Sequence, residues 1–202
     1  MTKAELAARL KHACAAVLSA EAELTEIDSR FGDADHGLTM AKIAKAISGA
    51  VDQPEGGIRS MLDGAATAVM ALNGGSAVPL WNTWLDGMQE EAPEGDEIDV
   101  AGLQALFARA LEELDGMSGA KVGDKTMMDA VIPASQAIAA YQGEEAEELF
   151  AAAAQAAAQG AENSKQFVSK FGRAKSYGEK TIGTPDAGAM SMSYFFQGLA
   201  QA

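Results

Sequence analysis

Apolar residues recur along this 202-residue chain at spacings of three and four, the period of an amphipathic helix. The first such run follows Thr2-x-x-Glu5, a pattern typical of a helix-capping box. No segment shows the alternation of apolar and polar residues expected of a half-buried strand. The pattern predicts eight helices, around residues 2–27, 38–47, 58–70, 76–88, 103–114, 124–138, 144–168 and 186–199.

The loops between these helices differ in chemistry in an alternating order. Those at 49–57, 90–98 and 141–145 are acidic or carry no unusual residues. The remaining loops hold the glycine-rich, acidic and basic motifs, at 28–37, 73–76, 119–126 and 171–188. Because short connections make consecutive helices antiparallel, alternate loops lie at the same end of a bundle. We therefore expect an all-α bundle with these four loops at one end.

Composition narrows the class of protein. Hydrophobic residues make up 48% of the chain and aromatic residues only 6%, which favours close-packed helices over sheets. The net charge of −14 disfavours binding to nucleic acid or to an anionic membrane surface. The lone Cys14 lies on an apolar helical stripe and excludes an intramolecular disulfide. With neither a signal peptide nor a transmembrane run in the sequence, we expect a single cytoplasmic domain over residues 1–202.

Three carboxylates occur within eight positions of the loop at 28–37, those of Asp28, Asp33 and Asp35. Carboxylates this close together repel one another unless a cation compensates their charge, and Mg²⁺ prefers such oxygen ligands. An EF-hand loop starting at Asp33 is excluded, because its fifth and twelfth positions are glycine and alanine. The loop is therefore either a divalent-metal site or an acidic turn that caps the next helix.

The other three loops carry groups that favour phosphate. Each leads into a helix N-terminus, where unpaired N–H groups attract anions, and their glycines allow close approach of the backbone. Ser76 and Thr126 add hydroxyl donors, and Arg173 offers a planar fork suited to phosphate oxygens. Metal ligands beside phosphate donors indicate a Mg–nucleotide site. Taken singly, these features have ordinary alternatives: a tight turn at Gly74-Gly75, helix caps at Asp124 and Asp186, and solvated charge at Lys121, Lys125 and Arg173.

The loops also carry a family resemblance. The chain resembles, over nearly its whole length, the ADP-binding L subunit of bacterial dihydroxyacetone kinase. The matching motifs are Ile27-Asp28 with 32–37, Gly74-Gly-Ser-Ala-Val-Pro-Leu80, Gly119-Ala-Lys-Val-Gly-Asp-Lys-Thr-Met127, 172–174 with 177–179, and 182–183 with 186–189. The resemblance implies a closed barrel of eight antiparallel amphipathic helices with the nucleotide site at one rim.

The same resemblance implies a set of ligands. Two Mg²⁺ ions would bind Asp28, Asp33 and Asp35, and the nucleotide would be ADP or ATP. Met127 would lie against the adenine, and no residue of this chain would act as a catalytic nucleophile. The residues expected to bind the nucleotide come from all four loops: His36, Gly37, Leu38, Thr39, Ser76, Ala77, Ser118, Met127, Arg173, Asp186, Ala187 and Gly188.

The resemblance finally implies partners and a reaction. In the phosphotransferase-system branch, a phosphohistidine donor subunit rephosphorylates the bound ADP, and the phosphoryl group passes to dihydroxyacetone on a separate K subunit; a homodimer is also allowed. Val78, Ser118 and Ala187 depart from the family pattern, which has glycine, glycine and proline there. Two alternative functions stay open. One is an ATP-dependent two-subunit kinase for a related small ketose or tetrose, and the other a nucleotide-free helical module that carries an apolar ligand.

Overall fold

The computed structural model describes residues 1–52 and 55–201. These residues form nine α-helices and two 3₁₀ helices. The α-helices are α1 Lys3–Ser19, α2 Glu21–Ser29, α3 His36–Ala50, α4 Ile58–Met70, α5 Ala77–Glu91, α6 Val100–Ser118, α7 Met128–Ala140, α8 Ala146–Asn163 and α9 Ala187–Ala200. The predicted loop at 49–57 includes Gln53 and Pro54, which lie outside the described residues. In the described part of the chain no helix combines the length and the apolar character needed to span a membrane.

The first predicted helix is two helices in the structure. Its capping box is present, since Glu5 Oε2 accepts a hydrogen bond from the N–H of Thr2 at 2.7 Å and the Thr2 hydroxyl accepts one from the N–H of Glu5. The helix breaks at Ala20, whose φ and ψ are −94° and 3°. The N–H of Ala20 bonds to the carbonyl of Val17, three residues back, at 3.1 Å. This tightened turn ends α1 and begins α2.

Two further boundaries differ from the prediction. The sixth predicted helix, α7, begins at Met128 instead of near residue 124, because Gly123 and Lys125 have φ angles of 95° and 61°. Positive φ is incompatible with a right-handed helix. The seventh predicted helix, α8, ends at Asn163 instead of about residue 168. A 3₁₀ turn over Ser164–Gln166 follows it.

The helices pack as a closed barrel. Contacts run from α1 to α3 and then between each successive pair up to α9, which packs against α1, while α2 packs on α3 and α9. Small residues let backbones approach at the seams, because a Cβ on Gly198 would strike the backbone of Ala13 and one on Gly87 the backbone of Ala110. The predicted all-α barrel of eight antiparallel amphipathic helices is confirmed, with its first helix in two pieces.

Aromatic side chains fill the interior of the barrel. Trp81 and Trp84 on α5 pack against Phe195 and Phe196 on α9 and Phe107 on α6, all of them buried. Neighbouring ring centroids in this cluster lie between 5.1 and 6.3 Å apart, mostly edge to face. This geometry is favourable for aromatic pairs. The rings form a packed core where an apolar ligand would otherwise have to fit.

Candidate functional site

The acidic turn between α2 and α3 is built around the carboxylate of Asp28. One of its oxygens, Oδ2, accepts hydrogen bonds from the N–H groups of Asp35 at 3.1 Å and His36 at 3.3 Å, at the start of α3. A Cβ at Gly32 would strike the Asp28 carboxylate, so glycine is required there. Ala34 takes a left-handed conformation with φ 62°. The turn therefore wraps around Asp28, which satisfies free N–H groups at a helix N-terminus.

The three aspartates of this turn converge on one point. One carboxylate oxygen from each of Asp28, Asp33 and Asp35 lies within 4.8 Å of the other two. Burial raises the pKa of Asp35, and the neighbouring charges of Asp33 and Asp28 raise it further. Three convergent carboxylates and no nitrogen or sulfur ligand fit a hard divalent cation such as Mg²⁺. Asp28 thus caps α3 with one oxygen and faces a candidate cation position in the same cluster.

The acidic turn forms one wall of a cleft of about 600 Å³. The remaining walls come from residues in segments 75–81, 117–127 and 169–188. These are the loops that the alternating pattern predicts at one end, and the structure brings them together. The break between α1 and α2 does not disturb the alternation, because both helices pack against α3 and α9. The first residues of α3, α5 and α9 lie in the cleft wall, so three helix N-termini meet there.

Of the fifteen residues expected to bind metal or nucleotide, all but Gly37 and Leu38 line the cleft. Gly37 is buried at the α2–α3 seam, where a Cβ would strike the Glu21 carbonyl and the Thr25 side chain. Leu38 is 53% exposed and is not part of the cleft wall. In this structure Gly37 serves helix packing, and the Leu38 side chain faces solvent.

His36 joins the acidic turn to the start of α9. Its Nε2 lies 2.9 Å from Ser191 Oγ. The Ser191 hydroxyl donates to the carbonyl of Ala187 at 2.8 Å, so we assign the proton of this pair to His36 Nε2. Burial lowers the pKa of His36, although the charges of Asp28 and Asp35 oppose the shift. Ser191 therefore fixes the orientation of a neutral imidazole beside the carboxylates.

Asp186 caps the N-terminus of α9. Its Oδ2 accepts a hydrogen bond from the N–H of Ala189 at 2.8 Å, and its own N–H donates to Ser164 Oγ at 2.9 Å. Burial raises the pKa of Asp186 to about 7, with Asp129 adding to the rise and Lys125 opposing it. The cap predicted for this residue is present, and the same residue lines the cleft.

Lys125 lines the cleft and Asp129 holds the loop beside it, and sequence reasoning assigned neither residue to the site. Lys125 was open to interpretation as solvated charge, yet it is only 4% exposed and it lines the cleft. Its Nζ donates to the carbonyls of Ser164 at 2.8 Å and Thr184 at 2.5 Å. The fully buried Asp129 accepts hydrogen bonds from the N–H groups of Gly123 and Thr126, at 2.6 and 2.7 Å. The sequence signal for Lys125 is the motif Gly123-Asp-Lys-Thr126. Asp129 follows the motif by three residues and fixes the same loop through its hydrogen bonds.

Arg173 lies in the cleft wall beside the acidic turn. Its guanidinium forms an ion pair with Asp33 Oδ2 at 2.7 Å, with the Arg173 side chain 71% exposed. By contrast, Lys121 lies away from the carboxylate cluster and pairs with Asp115 at 2.5 Å. The predicted phosphate ligand and a predicted metal ligand therefore contact each other directly.

Comparison with known proteins identifies the family. The model of the DAK2 domain family matches residues 30–201. The chain belongs to this family. The resemblance inferred from the loop motifs is confirmed: the chain is 29% identical over 198 residues to the Escherichia coli protein named PEP-dependent dihydroxyacetone kinase, ADP-binding subunit DhaL. That alignment covers 94% of this chain and 92% of the DhaL protein.

Two erythrulose kinases similar to this chain are longer proteins. The chain is 35% identical over 198 residues to L-erythrulose kinase of Pectobacterium atrosepticum, covering 93% of this chain and 33% of that kinase. It is 35% identical over 196 residues to D-erythrulose kinase of Mycolicibacterium smegmatis, covering 94% of this chain and 34% of that kinase. The chain therefore spans about a third of the length of these kinases.

A solved structure shares the fold of this DAK2 chain. The dihydroxyacetone kinase from C. freundii, in complex with AMP-PNP and Mg²⁺, superposes with a TM-score of 0.73 and 24% sequence identity. The match covers 98% of this chain and 34% of that one. The two proteins therefore share this fold over nearly the whole of this chain.

Proposed function

We propose that this DAK2 chain binds a magnesium–adenine nucleotide in its cleft and forms the nucleotide-binding part of a kinase that phosphorylates a small ketose. One observation carries the proposal: three convergent carboxylates and three helix N-termini face the same cleft of about 600 Å³. Carboxylates alone would repel a polyphosphate. Bound Mg²⁺ supplies the charge neutralisation that lets both occupy one site.

The residues divide into roles by their position in the cleft. Asp28, Asp33 and Asp35 hold two Mg²⁺ ions, as the family resemblance implies. The start of α3, with His36 and Thr39, and the start of α5, with Ser76 and Ala77, face the phosphates and ribose. Met127 forms an apolar surface for the adenine. The remaining nucleotide contacts come from Ser118, Arg173, Asp186, Ala187 and Gly188.

In this proposal the chain positions the nucleotide and neutralises charge, which is most of what phosphoryl transfer requires from a protein. It supplies no nucleophile. The acceptor, dihydroxyacetone, sits on a K subunit, and a phosphohistidine donor subunit of the phosphotransferase system renews the phosphoryl group on bound ADP. The similarity to DhaL proteins of PEP-dependent kinases from Escherichia coli and Listeria innocua, at 29% and 28% identity, supports this version.

A second version is an ATP-dependent kinase for erythrulose, a four-carbon ketose. It is favoured by the 35% identity to L- and D-erythrulose kinases. Nucleotide exchange separates the versions. If ADP survives extensive dialysis against EDTA-free buffer, the bound-cofactor version holds. Rapid exchange with labelled ATP, followed by phosphate transfer to erythrulose once the acceptor-binding partner is added, supports the second version and contradicts the first.

Calorimetry with Mg–ADP tests the site itself. Asp33→Ala and Asp35→Ala each remove one candidate metal ligand, and we expect each to weaken Mg–ADP binding by at least about tenfold. Asp63→Ala is the matched control, because Asp63 is an exposed carboxylate on α4 away from the cleft. Equal binding by all three variants and the parent chain would refute the nucleotide site. It would leave the apolar-ligand carrier, which the aromatic filling of the barrel disfavours.

The surface around the cleft fits a protein partner. Seven large apolar side chains of the described residues are exposed, and all belong to segments that end at or cross this end of the barrel: Leu38, Met70, Met117, Val122, Phe171, Tyr177 and Ile182. Exposed apolar residues grouped in this way are typical of an interaction surface. We place the K subunit here, over the cleft mouth. Val122→Ser should then raise the KM for the K subunit while leaving Mg–ADP affinity near the parent value, because Val122 is exposed and lies outside the cleft wall, whereas a homodimer on this face would show in the oligomeric state.

A further inference from the structure

A strap covers one side of the cleft mouth, comprising residues 172–183 and including the 3₁₀ helix Arg173–Thr181. Its far end is fixed, because the fully buried Thr181 accepts a hydrogen bond from the N–H of Ser169 at 3.0 Å and Gly183 donates to the carbonyl of Lys165 at 2.7 Å. At its near end, Lys170 donates from its N–H to the carbonyl of Asp124 at 3.1 Å. The strap is therefore anchored at both ends.

Between its anchors the strap meets the acidic turn at two points. Arg173 forms its ion pair with Asp33 at 2.7 Å. Further along, the ring of Tyr177 packs against Phe31 with centroids 5.2 Å apart. Residues 31 and 33 belong to the same turn, so both contacts join the strap to the turn that carries the three candidate cation ligands.

The backbone of the strap has room to turn. Gly172 and Gly178 have φ angles of 61° and 55°, which glycine adopts without strain. Among the described residues, no atom lies within 4 Å of the position of a Cβ at either glycine. Arg173 follows the first of these glycines directly. Compensating changes of backbone angle at Gly172 and Gly178 can redirect the Arg173 side chain while the anchors at Lys170 and Thr181 stay in place.

The ion pair places two proposed ligands in conflict. Asp33 Oδ2 contacts Arg173, yet Asp33 is one of three carboxylates suited to a divalent cation. A guanidinium and a divalent cation both seek the negative charge of the same carboxylate. While Arg173 stays on Asp33, it is also not available to phosphate oxygens. If a divalent cation replaces Arg173 on Asp33, the carboxylate gains a metal and Arg173 becomes available to phosphate.

We infer that Arg173 is an internal counter-ion that Asp33 exchanges for a divalent cation, so that cation binding releases Arg173 to the phosphate contact already proposed for it. The inference rests on the proposed function, since it takes the cleft to be a Mg–nucleotide site. It adds an order of events: the cation binds before Arg173 contacts phosphate. It also assigns Arg173 opposite effects on the two ligands, opposing the cation and favouring the nucleotide.

Mn²⁺ binding without nucleotide, measured by electron paramagnetic resonance, tests whether Arg173 opposes the cation. We expect Arg173→Gln to bind Mn²⁺ about two- to fivefold more tightly than the parent chain, the range for an exposed ion pair. Arg30→Gln is the matched control. Arg30 is an exposed arginine three residues before Asp33, and it pairs with Glu26. The Arg30→Gln substitution therefore removes the same charge near the turn without freeing Asp33. Its Mn²⁺ affinity should stay near the parent value.

Calorimetry with ADP at saturating Mg²⁺ tests whether Arg173 favours nucleotide binding. Arg173→Gln should weaken ADP binding about tenfold or more, the loss expected for a charged phosphate contact. Arg173→Lys keeps the charge but not the fork, so it should keep the Mn²⁺ affinity of the parent and still weaken ADP binding.

The outcomes separate this inference from the proposed function. Failure of the parent chain to bind Mg–ADP overturns both. If the parent binds Mg–ADP but Arg173→Gln and Arg30→Gln change Mn²⁺ affinity equally, the function stands and the exchange is refuted. Weaker Mn²⁺ binding by Arg173→Gln, or unchanged ADP binding, refutes it as well.

Discussion

Lys125 Nζ donates a hydrogen bond to the main-chain carbonyl of Thr184 at 2.5 Å. The two residues are 59 positions apart and lie in different walls of the cleft. A second bond, to the carbonyl of Ser164 at 2.8 Å, ties the same ammonium to the end of α8. Ser164 Oγ in turn accepts from the N–H of Asp186. One buried cation therefore holds together three chain segments that shape the cleft end of the barrel.

Loss of the Lys125 ammonium should lower the free energy of unfolding. Lys125→Met removes both hydrogen bonds and leaves the buried Thr184 carbonyl without that donor, whereas the Ser164 carbonyl keeps a hydrogen bond from the N–H of Phe167. Since an unsatisfied buried polar group costs about 1–3 kcal/mol, we expect the free energy of unfolding to fall by about 1–3 kcal/mol. Urea denaturation followed by circular dichroism measures it. Lys175→Met, at an exposed position on the strap, should change it by less than about 0.5 kcal/mol. Equal effects of the two variants would show that Lys125 is not a structural tie.

Two glycines of α3 should respond oppositely to the same substitution. Gly37→Ala drives a methyl group into the Glu21 carbonyl and the Thr25 side chain, so we expect a loss of about 1–3 kcal/mol and weaker Mn²⁺ binding at the adjoining turn. Gly49→Ala meets no described atom within 4 Å and should stabilise the helix by about 0.5–1 kcal/mol. Thermal unfolding and Mn²⁺ titration check both. A stable Gly37→Ala variant would contradict the close α2–α3 packing.

Asp186 should give the stability of the protein a distinct pH dependence. Its pKa is raised from 3.8 to about 7 by burial, so between these pH values the folded chain holds a proton that the unfolded chain has lost. The free energy of unfolding therefore falls as pH rises through this window, by at most about 1.4 kcal/mol per pH unit from this group. Asp186→Asn, which can still accept the bond from Ala189, should remove that contribution.

The measurement is urea denaturation at intervals from pH 4 to pH 7.5, with the slope of the variant subtracted from that of the parent. Asp99→Asn is the control for loss of a capping carboxylate as such, because Asp99 caps α6 by the same kind of bond, from the N–H of Gly102 at 2.7 Å. A parent slope that Asp186→Asn leaves unchanged, or makes more negative, would rule out the raised pKa.

Cys14 should be unreactive in the folded protein. It is 1% exposed, and burial raises the pKa of its thiol to about 12. At pH 8 the thiolate fraction then falls by about a thousandfold relative to an exposed cysteine, and labelling by iodoacetamide should slow accordingly. The chain has one cysteine, so the same sample in urea is its own reference. Rapid labelling of the native protein would place Cys14 outside the core.

Much of the fold was determined by the sequence alone. The period of the apolar residues predicts the α-helices of the barrel, with α1 and α2 as one helix, because burying one face of a helix requires that spacing. The order of loop motifs predicts which loops share an end, because short connections reverse the chain at each step. The concentration of carboxylates at 28–37 predicts a cluster of acidic side chains, which the structure shows, since charge density is a local property of the chain.

Only the tertiary structure decided the rest. It breaks the first helix at Ala20 and starts α7 at Met128, after a lysine with positive φ, because backbone angles depend on contacts that periodicity does not describe. It buries Lys125, whose acceptors lie 39 and 59 residues along the chain. It also joins Arg173 to Asp33 across 140 positions of sequence. Spacing reports which face of a helix is buried, whereas such pairs exist only once the barrel has closed and brought distant loops to one end.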